Sequence, residues 1–179
     1  MSTMISCGSW AFAVLPRSAR TGRRWSECEG LLPPARYKRP ESVLVVIYTV
    51  AGETLLLQRI RSGFWQSVTG GLNWGGETPA QAAHREVFEE TGLERASGWL
   101  DWGFSQSFHI LPEYRHWYGP GVVENIEHFF SLELPARCPV KLNSSEHDQS
   151  CWEDLAVAEH TLWSWTNRAA LAQVIADQV

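Results

Sequence analysis

From residue 42 onward the chain alternates apolar runs with polar punctuation. Ser42-Val43-Leu44-Val45-Val46-Ile47-Tyr48-Thr49-Val50 is a β-branched run without polar alternation, as expected of a central strand covered on both faces. Ala51-Gly52 marks a turn, and Thr54-Leu55-Leu56-Leu57-Gln58-Arg59 supplies a second strand, so the pair predicts a hairpin. A third short strand is expected over 64–68. Residues 97–110 alternate loosely and predict one strand kinked at Gly103, 111–121 a loop, and 125–134 a further strand. After a polar loop over 143–148, Cys151-Trp152 opens a short strand. Asn167 is placed to N-cap a final helix over 168–176, with Leu171, Val174 and Ile175 turned inward. Interleaved strands and helices predict an α/β domain, a mixed β-sheet sandwiched between α-helices.

The strongest helix signal lies over 78–92. Thr78 is a good N-cap, Pro79 suits the first helical position, Gln81 completes a capping box, and Gly92 can turn left-handed at the stop. At 100° per residue Ala80, Ala83 and Val87 share an apolar stripe, while Glu86, Glu89 and Glu90 project together beside it. Like charges at these spacings repel by roughly 0.2–0.5 kcal/mol per pair. Carboxylates in the last turn also oppose the helix dipole, at about 0.3–1 kcal/mol each. A divalent cation reverses that balance, because converging carboxylates are the hard oxygen ligands that Mg²⁺ shares with phosphates.

Gly71, five residues, Glu77, seven residues and then Arg85-Glu86-Val87-Phe88-Glu89-Glu90-Thr91-Gly92-Leu93 match every fixed position of the box that defines the Nudix hydrolases. The chain resembles that family. Flanking motifs, namely Tyr37-Lys38-Arg39-Pro40, Leu57-Gln58-Arg59, the run 64–70, Arg115-His116, Tyr118, Pro120-Gly121-Val122, Glu146-His147 and the run 164–168, resemble the bacterial dihydroneopterin triphosphate pyrophosphatase branch, which acts in folate synthesis.

The resemblance implies a Nudix fold and a Mg²⁺-dependent pyrophosphohydrolase, with Mn²⁺ as a substitute. It implies that Glu86 and Glu90 bind metal, that Glu89 serves as a ligand or as the base for water, and that Glu146 is a further ligand reaching in from its loop. Lys38, Arg59, Thr69 and Ser164 correspond to substrate-contacting positions, and Phe108, Ile110 and Leu111 to positions near the pterin. Gly71, Glu77, Arg85 and Gly92 correspond to residues that hold the box together. The chain departs from the branch at Trp117 and Glu124, where Arg is usual, and at Asn73-Trp74-Gly75-Gly76, where an acid-rich turn is usual. Loss of two cations keeps a nucleoside triphosphate or dinucleoside polyphosphate open as substrate. A ligand-sensing, non-catalytic Nudix module is the reading of another class, and the complete set of acids weighs against it.

Length and composition narrow the partners. The 179 residues suffice for one domain with a sizeable core, and a net charge of −5 gives no reason to expect a nucleic-acid polymer. The expected partner is a small di- or triphosphate. No apolar run approaches the roughly 18 residues of a membrane helix, so no membrane partner is expected. Cys7, Cys28, Cys138 and Cys151 lack Cys-x-x-Cys spacing, which points to reduced thiols in a cytoplasmic protein. Residues 1–36 carry Arg17, Arg20, Arg23, Arg24 and Arg36 against two acids, without amphipathic period. They read as a poorly ordered extension preceding the catalytic domain at 37–179.

Overall fold

The computed structural model describes residues 37–178, and the expectation for 1–36 lies outside them. Strands β1 (Glu41–Thr49), β2 (Glu53–Arg59), β3 (Trp65–Gln66) and β4 (Val68–Gly71) precede helix α1 (Pro79–Thr91). Strand β5 (Trp99–His109), a 3₁₀ turn at Pro112–Trp117, strands β6 (Glu124–Leu134) and β7 (His147–Asp154), and helices α2 (Leu155–Thr161) and α3 (Trp165–Asp177) follow.

The seven strands form one sheet along the path β3-β2-β1-β6-β5, with β4 paired to β1 and β7 to β2. Among the described strand pairs only β1–β6 is parallel, so the sheet is mixed, as expected. The continuous apolar run of β1 has its predicted cause, since Val43 through Thr49 are all buried. Val43, Val45 and Ile47 face α1 through Ala82, Ala83 and Val87. Leu44, Val46 and Tyr48 face α2 and α3 through Leu155, Ala158, Ala170, Leu171 and Val174. The sheet is thus sandwiched between helices, an α/β fold.

Several elements differ from expectation. The single strand expected over 64–68 is two, because chain entering along β2 leaves along β1, and Ser67 is the crossing point. Strand β7 begins at His147 rather than Cys151, pairing antiparallel with β2 from Arg59 to Glu53. Helix α2, capped by Asp154 accepting from the Ala156 N–H, lies where no helix was expected. Helix α3 starts a turn early: Ser164, not Asn167, is the N-cap, and its hydroxyl accepts from the Asn167 N–H at 3.1 Å. Asn167 has another task, since its Oδ1 accepts from the Ser67 N–H at 2.7 Å and pins α3 to the β3–β4 crossing. The kink at Gly103 is present as a register shift between Asp101 and Ser105.

Candidate metal and phosphate site

Helix α1 is built as its sequence predicts. The Thr78 hydroxyl accepts from the Gln81 N–H, the Gln81 side chain accepts from the Thr78 N–H, and Gly92 takes φ 69° at the C-terminal stop. Its faces differ from the expected ones. Ala80 is exposed and Ala82 lies in the core instead. Glu90 does not share the solvated side with Glu89: it is 1 % exposed, on the face that meets the sheet.

A buried carboxylate at that place needs compensation, and the chain brings it from 50 residues downstream. The Lys141 and Asn143 N–H groups donate to the Thr91 and Glu90 carbonyls at 2.8 and 3.3 Å, satisfying groups the helix end leaves open. The Asn143 side chain then folds the turn, its Oδ1 accepting from the Ser145 N–H and hydroxyl. Glu146 and His147 are delivered to Glu90 as a result. Single ligand atoms of Glu90, Glu146 and His147 lie within 4.8 Å of one another. His147 Nε2 stands 3.3 Å from Glu90 Oε1, yet neither Glu90 oxygen has a well-aligned hydrogen bond. Burial pushes the Glu90 carboxyl above its ordinary range, against the pull of His147.

Glu86 and Glu89 form a second group around Arg85, which donates to Glu86 Oε1 at 2.6 Å and Glu89 Oε2 at 3.0 Å. Burial pushes Glu86 up to about 7; Arg85 opposes the shift, and Glu90 and Glu89 reinforce it. The Glu86 carboxyl lies on Gly70 of β4, where an added Cβ would fall 1.8 Å from Glu86 Cδ. Arg85 also grips Glu77 through Nε and Nη2 at 2.7 and 3.0 Å, and donates to the Gly71 carbonyl at 2.9 Å. Glu77 accepts from the Asn73 N–H as well, and the Arg85 bonds hold its carboxyl below the usual range. The Asn73-to-Gly76 turn, unusual in sequence, is thereby closed by Glu77.

Of the other positions singled out in sequence, Arg59 reaches this place, its Nη1 standing 3.7 Å from Glu146 Oε2. Thr69 neighbours Gly70 and accepts from Gln66 Nε2 at 2.9 Å. The Lys38 ammonium sits 4.7 Å over the Trp117 ring, so the residue replacing an expected arginine holds a cation in its place. Phe108 is half-buried on β5, Ile110 is 3 % exposed, and Leu111 is exposed at the start of the 3₁₀ turn. The Ser164 hydroxyl is occupied in capping α3. His147 was not singled out as a partner of Glu90. Strand alternation would set it opposite Glu146, and only the turn at 143–146 lets both side chains converge.

The donor set fits a divalent cation: hard carboxylate oxygens with one imidazole, two of those oxygens sealed from water and unpartnered. The family profile described as NUDIX domain matches residues 38–174. The chain belongs to the Nudix family. It is 40% identical over 144 residues to the Escherichia coli dihydroneopterin triphosphate diphosphatase, covering 78% of this chain and 94% of that one. The Haemophilus influenzae protein of the same name is 37% identical over 145 residues, covering 78% and 90%. The solved structure of the E. coli dihydroneopterin triphosphate pyrophosphohydrolase superposes with a TM-score of 0.72, covering 79% of this chain and 98% of that one. As a Nudix hydrolase the chain is an enzyme acting on phosphoanhydrides. The capped helix, the Arg85 clamp and the Glu90–Glu146 convergence all lie within the matched residues 38–174.

Proposed function

We propose that this protein is a Mg²⁺-dependent pyrophosphohydrolase that converts dihydroneopterin triphosphate to dihydroneopterin monophosphate and pyrophosphate, a step of folate synthesis in the cytoplasm. The observation that carries the reaction class is the sealed, unpartnered Glu90 carboxylate beside Glu146 and His147. The likeness to the two diphosphatases supports the substrate.

Glu86, Glu90 and Glu146 would hold the magnesium, and the adjacent His147 imidazole is compatible with Mn²⁺ as a substitute. When bound, the cation neutralises charge on the phosphates and orients them for in-line attack. Glu89, half exposed and fixed by Arg85, takes the proton of the attacking water in this reading. Arg59 supplies positive charge to the phosphate chain from the end of β2. Lys38 does so from beside Trp117. In this reading Thr69, Ser164, Phe108 at the end of β5, and Ile110 and Leu111 just beyond it contact the substrate toward its ring. The partner is a small molecule, with no nucleic-acid polymer and no membrane involved.

A substrate panel with Mg²⁺ tests this, comparing kcat/KM for dihydroneopterin triphosphate, dATP, GTP and a dinucleoside polyphosphate with products identified. The pterin should lead the panel and release pyrophosphate. A nucleotide leading it by tenfold or more would replace the pterin.

A further inference from the structure

We propose that Glu127 selects the ring of the substrate, its carboxyl accepting the adjacent N–H donors of a 2-amino-4-oxo pyrimidine edge, the edge that pterins and guanine share. The proposal rests on the reading of the protein as a pyrophosphohydrolase of ring-bearing triphosphates.

Glu127 lies on β6, outside every group described around the metal site, and is 5 % exposed. Strand alternation turns it to the same side as Phe129, toward α3. The β1–β6 register sets Ser42 beside it, and the β5–β6 register sets Gln106 on its other flank. The hydroxyls of Thr166, from the first turn of α3, and Ser42 lie beside the carboxyl and favour its charged form against burial. Asn125 Nδ2 donates to the Ser42 Oγ at 2.7 Å, which leaves the Ser42 hydrogen free to point at Glu127.

One oxygen of the carboxyl is nonetheless buried without a partner. Glu127 Oε2 has no hydrogen-bond partner, and neither has Gln106 Oε1 on the paired position of β5. An unsatisfied buried acceptor is destabilising, and two such acceptors on directly paired positions form a matched set. Side chains so paired lie about 4.5–5.5 Å apart at Cβ, within reach of one ligand edge that presents two adjacent N–H groups. A pyrimidine edge with an amino group next to a ring N–H is such an edge. Adenine, whose amino group stands next to a ring acceptor, is not. Burial pushes the Glu127 carboxyl up to about 7, so it is poised to take up the charge that two donors stabilise.

The surroundings fit a flat heterocycle. Phe108 follows Gln106 by two residues on the same face of β5, and Phe104 meets Phe129 edge-on with centroids 4.9 Å apart. The spacing to the phosphate end fits too. Gly71, Ser42 and Glu127 form one row across β4, β1 and β6. Within the plane of the sheet, at about 4.8 Å per strand, Glu127 is roughly 10 Å from β4, whose Gly70 meets the Glu86 carboxyl on the opposite, α1 face. A bicyclic ring and a short carbon linker cover the in-plane distance, and the triphosphate then rounds β4 to the α1 face.

The test measures kcat and KM of wild type and Glu127→Gln on dihydroneopterin triphosphate, GTP, ATP and inorganic tripolyphosphate. The variant should lose about 30- to 100-fold in kcat/KM for the pterin and GTP, mainly through KM. ATP and tripolyphosphate should stay within about twofold. Equal losses on all four substrates, or none on any, overturn the proposal, as does a wild type without preference for either 2-amino-4-oxo substrate over ATP. A wild type that favours GTP while ignoring the pterin, with that preference erased in the variant, upholds Glu127 and defeats the pterin reading. Should Glu127→Gln fail to fold, wild type is compared on GTP and ITP, which lacks only the 2-amino group. A preference of at least tenfold for GTP is expected, and equal turnover overturns the proposal.

Discussion

Glu90 Oε1 and His147 Nε2 lie 3.3 Å apart across the seam between α1 and β7, both side chains shut off from solvent. The pair joins the Nudix helix to a turn that follows it by 50 residues, and it leaves a carboxylate that protein groups alone do not satisfy. Without cation, Glu90 is therefore a destabilising residue. Glu90→Gln should raise the stability of the EDTA-treated protein by about 1–2 kcal/mol, since a neutral amide is cheaper to bury. Thermal unfolding with EDTA and with Mg²⁺ reads both this gain and the loss of most of the Mg²⁺-induced rise in Tm. A lower Tm in EDTA would show that Glu90 is satisfied without metal.

Arg85 connects Glu77, Glu86, Glu89 and the Gly71 carbonyl with one guanidinium. Arg85→Ala should cost about 2 kcal/mol in urea unfolding, a value already reduced for its partial exposure. It should also lower kcat more than tenfold as Glu86 loses its orientation. Arg85→Lys keeps the charge but not the fork, and should recover less than half of the lost kcat.

Gly70→Ala separates activity from stability. The new methyl would displace the far end of the Glu86 side chain rather than backbone. Unfolding should shift by under about 1 kcal/mol, while kcat falls about 100-fold through misplacement of a site carboxylate. A variant with normal kcat would mean that Glu86 acts from another position.

Metal-free stability should fall as pH rises. Glu127 and Glu86 are both pushed up to about 7 by burial, from an unfolded value near 4.5. The folded state binds more protons than the unfolded chain between these values, so stability is greatest below about 4.5 and declines to a floor above about 7. Glu127 alone accounts for about 3 kcal/mol of that decline. Urea unfolding in EDTA at pH 5 and 8 should show the slope, and Glu127→Gln should flatten it by a similar amount.

The caps of α1 and the central strand were legible in sequence because they depend on local chemistry: Thr78, Pro79, Gln81 and Gly92 act within one helix, and β1 is apolar because both faces are covered. The burial of Glu90 was not, since a helical wheel places charges by sequence spacing, whereas a partner 50 residues away decides which one is buried. Ala82 rather than Ala80 lies in the core because the sheet, through Val43, Val45 and Ile47, packs on the helix face that carries it. Ser164 and Asn167 are both good caps, and only the Ser67 N–H, a tertiary partner, decides between them. The convergence of Glu146 and His147 depends on how the Asn143 turn docks on the end of α1. Glu127 gave no signal either, as an acid on an alternating strand reads as solvent-facing until α3 covers it.

The most direct test is turnover of dihydroneopterin triphosphate by Glu90→Gln at saturating Mg²⁺, with the fold checked by circular dichroism. The structure predicts a fall of about 10³-fold in kcat with an intact fold, the loss expected when a group stabilising charge in the transition state is removed. Turnover within a few-fold of wild type would contradict it.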